Sequence, residues 1–191
     1  MNTINVFLIP LTSYRVLEYI DAWSSDLERA FGDAGVKVST NIWPEVVTPP
    51  MKCFDWNRIQ YYAPCILEHL YTFNNKLLKN RDNYLVGIGY IDGYDTGLNF
   101  VFGEANPRIG VAVVFTKRLD PIFYSGKTDY NLYVERVGKE IIHEIGHLLG
   151  LEHCSNRDCV MRFSNSVLEV DEKTMKFCKN CSFKLTTYLN R

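Results

Sequence analysis

The sequence lacks an excess of charge of either sign. Its 191 residues include 21 Lys and Arg and 22 Asp and Glu, which gives a formal net charge of −1. Proteins that bind nucleic acid or anionic membrane surfaces generally present a basic surface. The balance of charge therefore argues against a nucleic-acid partner and gives no electrostatic reason to expect a membrane partner.

Long hydrophobic runs and the features of an export signal are also missing. No apolar run approaches the roughly 20 residues that a membrane-spanning helix needs. The N-terminal segment MNTINVFLIPL has no basic start and contains Pro10, unlike a signal peptide. We therefore expect a cytoplasmic protein without a membrane partner and without a pro-segment ahead of its first strand.

Internal repeats, low-complexity tracts and linkers rich in Pro, Gly and Ser are absent from the sequence. Hydrophobic residues make up 47% and aromatic residues 14% of the chain, which excludes a disordered protein. We expect a single domain over residues 1–191 and a monomer.

Helical and alternating apolar patterns predict a mixed sheet with helices packed on it. Helices are expected from residue 13 to Gly32, over residues 58–78 and over residues 132–149. Pro64 should start or kink the second of these helices. Strands are expected at residues 4–9, 36–40, 84–91, 98–102 and 111–115.

Histidine is scarce, and its distribution is uneven. Three of the four His lie between residues 143 and 153, and four of the six Cys lie between residues 154 and 181. Clustered cysteines in a cytosolic chain are first interpreted as metal ligands, because disulfides are rare there. Cys53 and Cys65 stand apart from this cluster, and we expect both to be unpaired.

The segment HEIGHLLGLEH at residues 143–153 carries the chemistry. His143 and His147 are four residues apart, so both imidazoles project from one face of a helix. Gly150 lets the chain leave that helix in a left-handed turn, which brings His153 back as a third ligand. Three protein ligands leave a fourth position for water, the arrangement of a catalytic zinc. The simpler alternative is a chance grouping of surface histidines.

Glu144 follows His143 and lies about 100° around the helix from it. At that angle its carboxylate reaches the water on the metal and not the metal itself. Zinc lowers the pKa of its water towards about 7, so a nearby carboxylate can take a proton and pass it to a leaving amine. The predicted chemistry is hydrolysis of a peptide or amide bond, with Glu144 as base and then acid.

The histidine motif resembles the extended zinc motif of the metzincins, HExxHxxGxxH. Metzincins place a methionine turn beneath the metal, and Met161 is the candidate here. The cysteines that follow, with a CxxC at Cys178 and Cys181, narrow the resemblance to the archaemetzincin family. The segments QYYAPCILEHL and LNFVFGEA are also similar, so the resemblance covers most of the chain.

This resemblance implies an α+β fold, a zincin-like metzincin domain with a twisted mixed sheet and two large helices above the cleft. The upper part would span about residues 1–150. A small Cys-rich part over about residues 151–191, stapled by zinc, would form the lower side of the cleft.

The resemblance also implies a second, structural zinc. Its ligands would be Cys154, Cys159, Cys178 and Cys181. Four thiolates in two close pairs suit a closed tetrahedral site, and a tail with little apolar content gains folding energy from a metal. Two disulfides, or free thiols, are the alternatives. We further hypothesise that this site positions His153 through the adjacent Cys154.

Some metzincins carry a tyrosine two residues after the turn methionine, where this sequence has Phe163. No protein side chain is then identified that stabilises the oxyanion, which leaves this role to the zinc ion. Phe163 becomes a candidate wall of a substrate pocket. Residues 98–102 or 111–115 are the candidates for an edge strand that pairs with an extended peptide.

The motif and the resemblance together predict a zinc-dependent metallopeptidase that carries two zinc ions and acts on peptide or protein substrates. The alternative from another class is a zinc-stabilised peptide-binding protein with little or no turnover. Hydrolysis of a small non-peptide amide is a third hypothesis. The sequence leaves open the natural substrate, the choice between endopeptidase and aminopeptidase, and the metal bound in the cell.

Overall fold

The computed structural model describes residues 3–189, in which eight strands form two sheets. The strands are β1 (Ile4–Pro10), β2 (Val38–Ile42), β3 (Phe54–Asp55), β4 (Gln60–Tyr62), β5 (Asn83–Gly89), β6 (Gly93–Tyr94), β7 (Gly103–Asn106) and β8 (Val111–Phe115). The larger sheet has the order β2-β1-β5-β8-β7, and the smaller has the order β3-β4-β6. Neighbours from β2 to β8 are parallel, whereas β7 is antiparallel to β8. The predicted mixed sheet is confirmed.

Neither candidate edge strand lies at the edge of the larger sheet. The prediction of a strand at residues 98–102 is wrong. The carbonyls of Leu98 and Asn99 accept hydrogen bonds from the Arg58 side chain and not from the backbone of a neighbouring strand. Residues 111–115 do form β8, but this strand lies between β5 and β7. The edge next to β8 is β7, a strand that the sequence did not predict, and β2 forms the opposite edge.

Six α-helices accompany the sheets in the described part of the chain. They are α1 (Val16–Asp33), α2 (Ala63–Phe73), α3 (Ile122–Ser125), α4 (Tyr130–Leu148), α5 (Val167–Glu172) and α6 (Lys179–Leu189). No helix among residues 3–189 combines the length and the apolar character that a membrane crossing requires.

The helices α1 and α4 contact each other and share one buried apolar core with the larger sheet. Trp23 of α1 is fully buried, and its indole N–H donates to the Val134 carbonyl of α4 at 3.0 Å. The hydroxyl of Tyr133 bonds Thr116 at 2.8 Å just beyond β8. These contacts fix α4, the helix with the histidine motif, relative to the sheet.

A second apolar core lies beneath α2. This helix begins at Ala63 and not at residue 58, because β4 and its turn occupy residues 58–62. Pro64 lies in the first turn of α2, where its missing N–H leaves no hydrogen bond unmade. The expectation that Cys53 and Cys65 are unpaired is wrong, since the two form a disulfide across a separation of 12 residues.

Ion pairs join α4 to the segment around α5. Arg136 makes two hydrogen bonds of 2.7 Å to the carboxylate of Asp171. The ammonium of Lys173, whose side chain is fully buried, lies 2.8 Å from the carboxylate of Glu140 and donates to the Arg162 carbonyl at 3.3 Å. The C-terminal segment is therefore anchored to the helix that carries the histidines.

Candidate metal centres and cleft

The three histidines of the motif meet at one point. His143 and His147 lie one turn apart on α4, with their Nε2 atoms 3.0 Å from each other. The helix ends next to Gly150, which has a left-handed φ of 84°, and His153 returns to face the other two rings. One ring nitrogen from each residue lies within 4.8 Å of the others, so the group could hold a metal ion. The structure thus brings His143, His147 and His153 together.

Backbone carbonyls orient two of these rings. His143 Nδ1 lies 2.8 Å from the Val160 carbonyl oxygen, and His147 Nδ1 lies 2.7 Å from that of Leu151. A carbonyl can only accept, so Nδ1 carries the proton and Nε2 keeps a free lone pair. Nothing in the sequence marks these two partners, because every residue has a carbonyl.

Burial keeps the histidine rings neutral. Desolvation lowers the pKa of His143 well below its usual value, and the nearby Lys173 ammonium lowers it further. Desolvation also lowers the pKa of His147 and of His153. Neutral imidazoles are the form that binds metal, so the site favours cation binding over protonation.

Glu144 projects into the same cleft from α4. Its side chain is buried, and desolvation followed by the charge of Glu140 raises its pKa well above the usual range. Gly103, the first residue of β7, lies directly against this carboxyl, since a Cβ at position 103 would stand 2.5 Å from Glu144 Oε1. The edge strand and the carboxylate are therefore immediate neighbours.

Met161 lies beneath the histidine helix. It is fully buried, and its sulfur lies against Gly146 of α4. Its carbonyl accepts a hydrogen bond of 2.9 Å from the backbone N–H of Cys154. The structure thus places Met161 between the turn that follows His153 and the helix that carries the other two histidines.

The four C-terminal cysteines form a second candidate metal centre. The sulfur atoms of Cys154, Cys159, Cys178 and Cys181 lie within 4.8 Å of one another, and all four are free thiols. Backbone N–H groups point at two of the sulfurs, from Asn156 to Cys154 and from Cys178 to Cys159. Burial opposes ionisation of Cys178, but hydrogen bonds from Cys181 and the other thiols outweigh it and lower its pKa to about 7. Burial instead raises the pKa of Cys159 and of Cys181, so Cys178 ionises first among these three thiols.

A cleft of about 780 Å³ opens over the histidines. Residues 97–105, which include Gly103 and Glu104 of β7, line one side, and Phe163 and Asn165 line the other. Phe163 is half exposed, and its ring centroid lies 4.9 Å from that of His153. An extended chain can reach both the histidines and Glu144 in this cleft.

Comparison with known proteins gives consistent matches over most of the chain. The sequence model described as Peptidase family M54 matches residues 2–187. An archaemetzincin from Aeropyrum pernix is 46% identical over 138 residues, which cover 72% of this chain and 71% of that protein. An archaemetzincin from Saccharolobus solfataricus is 44% identical over 136 residues, which cover 71% of each chain.

Solved structures agree with the sequence matches. The crystal structure of archaemetzincin from Archaeoglobus fulgidus superposes with a TM-score of 0.77 at 36% identity, over 94% of this chain and 99% of that chain. The crystal structure of archaemetzincin from Methanopyrus kandleri gives a TM-score of 0.79 at 34% identity, over 99% and 97% of the two chains. The mixed α/β fold described above is shared with both.

Proposed function

The chain belongs to peptidase family M54 and is a zinc metallopeptidase, and from this we propose that His143, His147 and His153 bind the catalytic zinc while Glu144 moves the proton. The observation that carries the proposal is the donor set. Two rings have Nδ1 fixed by carbonyls, and all three present a nitrogen to one point. Neutral imidazoles in that arrangement fit zinc.

Glu144 acts as general base and then as general acid. When bound, zinc lowers the pKa of water and polarises the substrate carbonyl. The raised pKa of Glu144 suits a group that must hold a proton between two steps. Its carboxylate takes the proton of the attacking water and then gives it to the amine that leaves. Met161 supports the histidine site from below, and Phe163 forms the wall of a side-chain pocket.

The four thiols fit a second, structural zinc. A closed set of four sulfur ligands leaves no position for substrate, so this metal would stabilise the fold and take no part in the reaction. We propose one catalytic domain of the metzincin type over residues 1–191. Its upper part is about residues 1–150, and its lower part, about residues 151–191, is held together by the second metal.

Metal analysis combined with a peptide assay tests this function. We expect about two zinc ions per chain in the wild type and in Glu144→Ala, and about one in His147→Ala. Only the wild type should cleave a mixed peptide library. Cleavage by Glu144→Ala at the wild-type rate would contradict the role of Glu144. One zinc in the wild type would contradict the second site.

A further inference from the structure

One half-buried carboxylate among residues 3–189 has no hydrogen-bond or ion-pair partner and no role so far. Among the buried and half-buried acidic side chains of residues 3–189, Glu104 and Glu144 make neither an ion pair nor a hydrogen bond. The other buried acids in this range each have a cationic partner. The ion pairs are Asp92–Arg118, Asp120–Arg15 and Glu140–Lys173. Glu144 is explained by the reaction, whereas Glu104 is not.

Glu104 lies in the cleft wall beside the reacting groups. It is the second residue of β7, next to Gly103, which contacts Glu144. Its Oε2 atom is buried without a hydrogen-bond partner. Asp95, whose negative charge repels that of Glu104, lines the same cleft. Desolvation, followed by the charge of Asp95, raises the pKa of Glu104 to about 7. A cation from outside the chain would relieve this poorly compensated charge.

Resting on the proposed peptidase function, we propose that Glu104 binds a cationic nitrogen of the substrate peptide within about three residues of the scissile bond. The nitrogen belongs either to the free α-ammonium group or to a Lys or Arg side chain. In either case Glu104 is a specificity-determining residue, which selects peptides that carry a positive charge at one subsite.

The position of β7 determines how far from the scissile bond the cationic group of the substrate must lie. As the edge of the sheet, β7 presents unpaired backbone groups that an extended peptide can pair with at a spacing of about 4.8 Å. The peptide group that reacts must lie near Glu144 and hence near Gly103. Glu104 is one residue along, a rise of about 3.4 Å, and successive side chains of a strand point to opposite faces. Its carboxylate therefore meets substrate side chains close to the scissile bond from the face of β7 opposite to Glu144.

Matched peptides test the proposal on the zinc-loaded full chain. One series carries Lys or norleucine at each of the positions flanking the scissile bond, and each peptide is made with a free and an acetylated N-terminus. We expect the wild type to prefer the cationic member by at least about 10-fold in kcat/KM, mainly through KM. Glu104→Gln should reduce this preference at least about 5-fold and leave the neutral peptides nearly unchanged.

Glu152→Gln is the control, because Glu152 is an exposed carboxylate that lines the same cleft. It should keep the preference, whereas an equal loss in both variants would overturn the assignment to Glu104. Sensitivity to N-acetylation alone identifies the α-ammonium as the bound group. Sensitivity to the Lys-to-norleucine change alone identifies the side chain.

Peptide affinity for Glu144→Gln, measured by fluorescence anisotropy, separates this proposal from the proposed function. Tighter binding of cationic peptides that is lost when Glu104→Gln is added to Glu144→Gln supports the proposal. It does so even if the wild type cleaves nothing. Absence of cleavage by the wild type would contradict the peptidase mechanism and not the role of Glu104. Cleavage with equal affinity for cationic and neutral peptides would overturn the role of Glu104 and leave the mechanism intact. Absence of binding by every peptide would also overturn it.

Discussion

The backbone N–H of Cys154 donates to the carbonyl of Met161 at 2.9 Å. This hydrogen bond closes the loop between the third histidine and the turn methionine. His153 and Cys154 are consecutive, so one residue faces the histidine site while the next contributes a sulfur to the thiol cluster. The two candidate metal centres therefore share a single stretch of backbone.

Loss of the thiol site should weaken the histidine site. Cys178→Ser removes the sulfur that lies 3.7 Å from Cys154, and the turn that holds His153 then loses its anchor. We expect catalytic zinc to bind at least about 10-fold more weakly, with a parallel loss of activity. Chelator competition measures the affinity. The control is the double variant Cys53→Ser/Cys65→Ser, because it removes both cysteines outside the thiol cluster and leaves no unpaired thiol at that site. Unchanged affinity in Cys178→Ser would show that the two sites are independent.

Gly103→Ala should damage the reaction and spare metal binding. The new Cβ would stand 2.5 Å from Glu144 Oε1, so the carboxylate must move. We expect kcat to fall about 100-fold, because general base catalysis contributes about 10²–10⁴-fold. Zinc content should stay at the wild-type level. Gly32→Ala provides the control, since its Cβ would meet no atom within 4 Å. A Gly103→Ala enzyme with normal kcat would place Glu144 outside the reaction.

Glu140 and Lys173 should stabilise the fold only when both charges are present. Lys173→Met leaves the Glu140 carboxylate buried without its cation, which we expect to lower the free energy of unfolding by about 3–5 kcal/mol. The double variant Lys173→Met/Glu140→Leu removes both charges and should recover most of that loss. Denaturant unfolding of the zinc-loaded proteins measures both values. Equal losses in the single and the double variant would mean that packing of Lys173, and not its charge, matters.

Because the pKa of Glu104 is raised, we expect this residue to make the stability of the protein depend on pH. A carboxyl with a pKa near 7 in the folded state and 4.5 when unfolded binds more protons in the folded state between these values. Its contribution to stability is therefore fully present below pH 4.5 and is lost as pH rises to 7. Because the group is partly solvated, Glu104→Gln should gain at most about 2 kcal/mol relative to the wild type at pH 8.

Thermal unfolding at pH 4.5 and pH 8 measures this difference. The gain of Glu104→Gln over the wild type should be larger at pH 8 than at pH 4.5. The exposed Glu152→Gln should show no such change with pH. A pH-independent gain in Glu104→Gln would show that burial does not raise the pKa of Glu104.

The sequence was sufficient for those parts of the site that follow from local geometry. The helical period determines that His143 and His147 share a face, and Gly150 supplies the turn that returns His153. Long-range partners were not predictable, because the Val160 and Leu151 carbonyls that orient the rings have no sequence signature.

The two main errors in the predicted fold also have physical causes. The aromatic alternation at residues 98–102 is typical of a strand, but Arg58 and Gln60 bind the carbonyls that a neighbouring strand would need. The disulfide between Cys53 and Cys65 was missed because the expected compartment, and not the distance between the residues, decided the interpretation. The segment at residues 98–102 lines the cleft, whereas the disulfide lies in the second apolar core with α2.

The edge strand β7 is only four residues long, and this has a consequence for which chains can be cut. A peptide that pairs along it gains a short ladder of backbone hydrogen bonds and must itself be fully extended. A folded protein would have to unravel at least as many residues to enter the cleft. Loose chain ends and unstructured fragments meet that demand without unfolding. On the proposed function, the need for an extended substrate therefore favours unstructured chains over folded proteins.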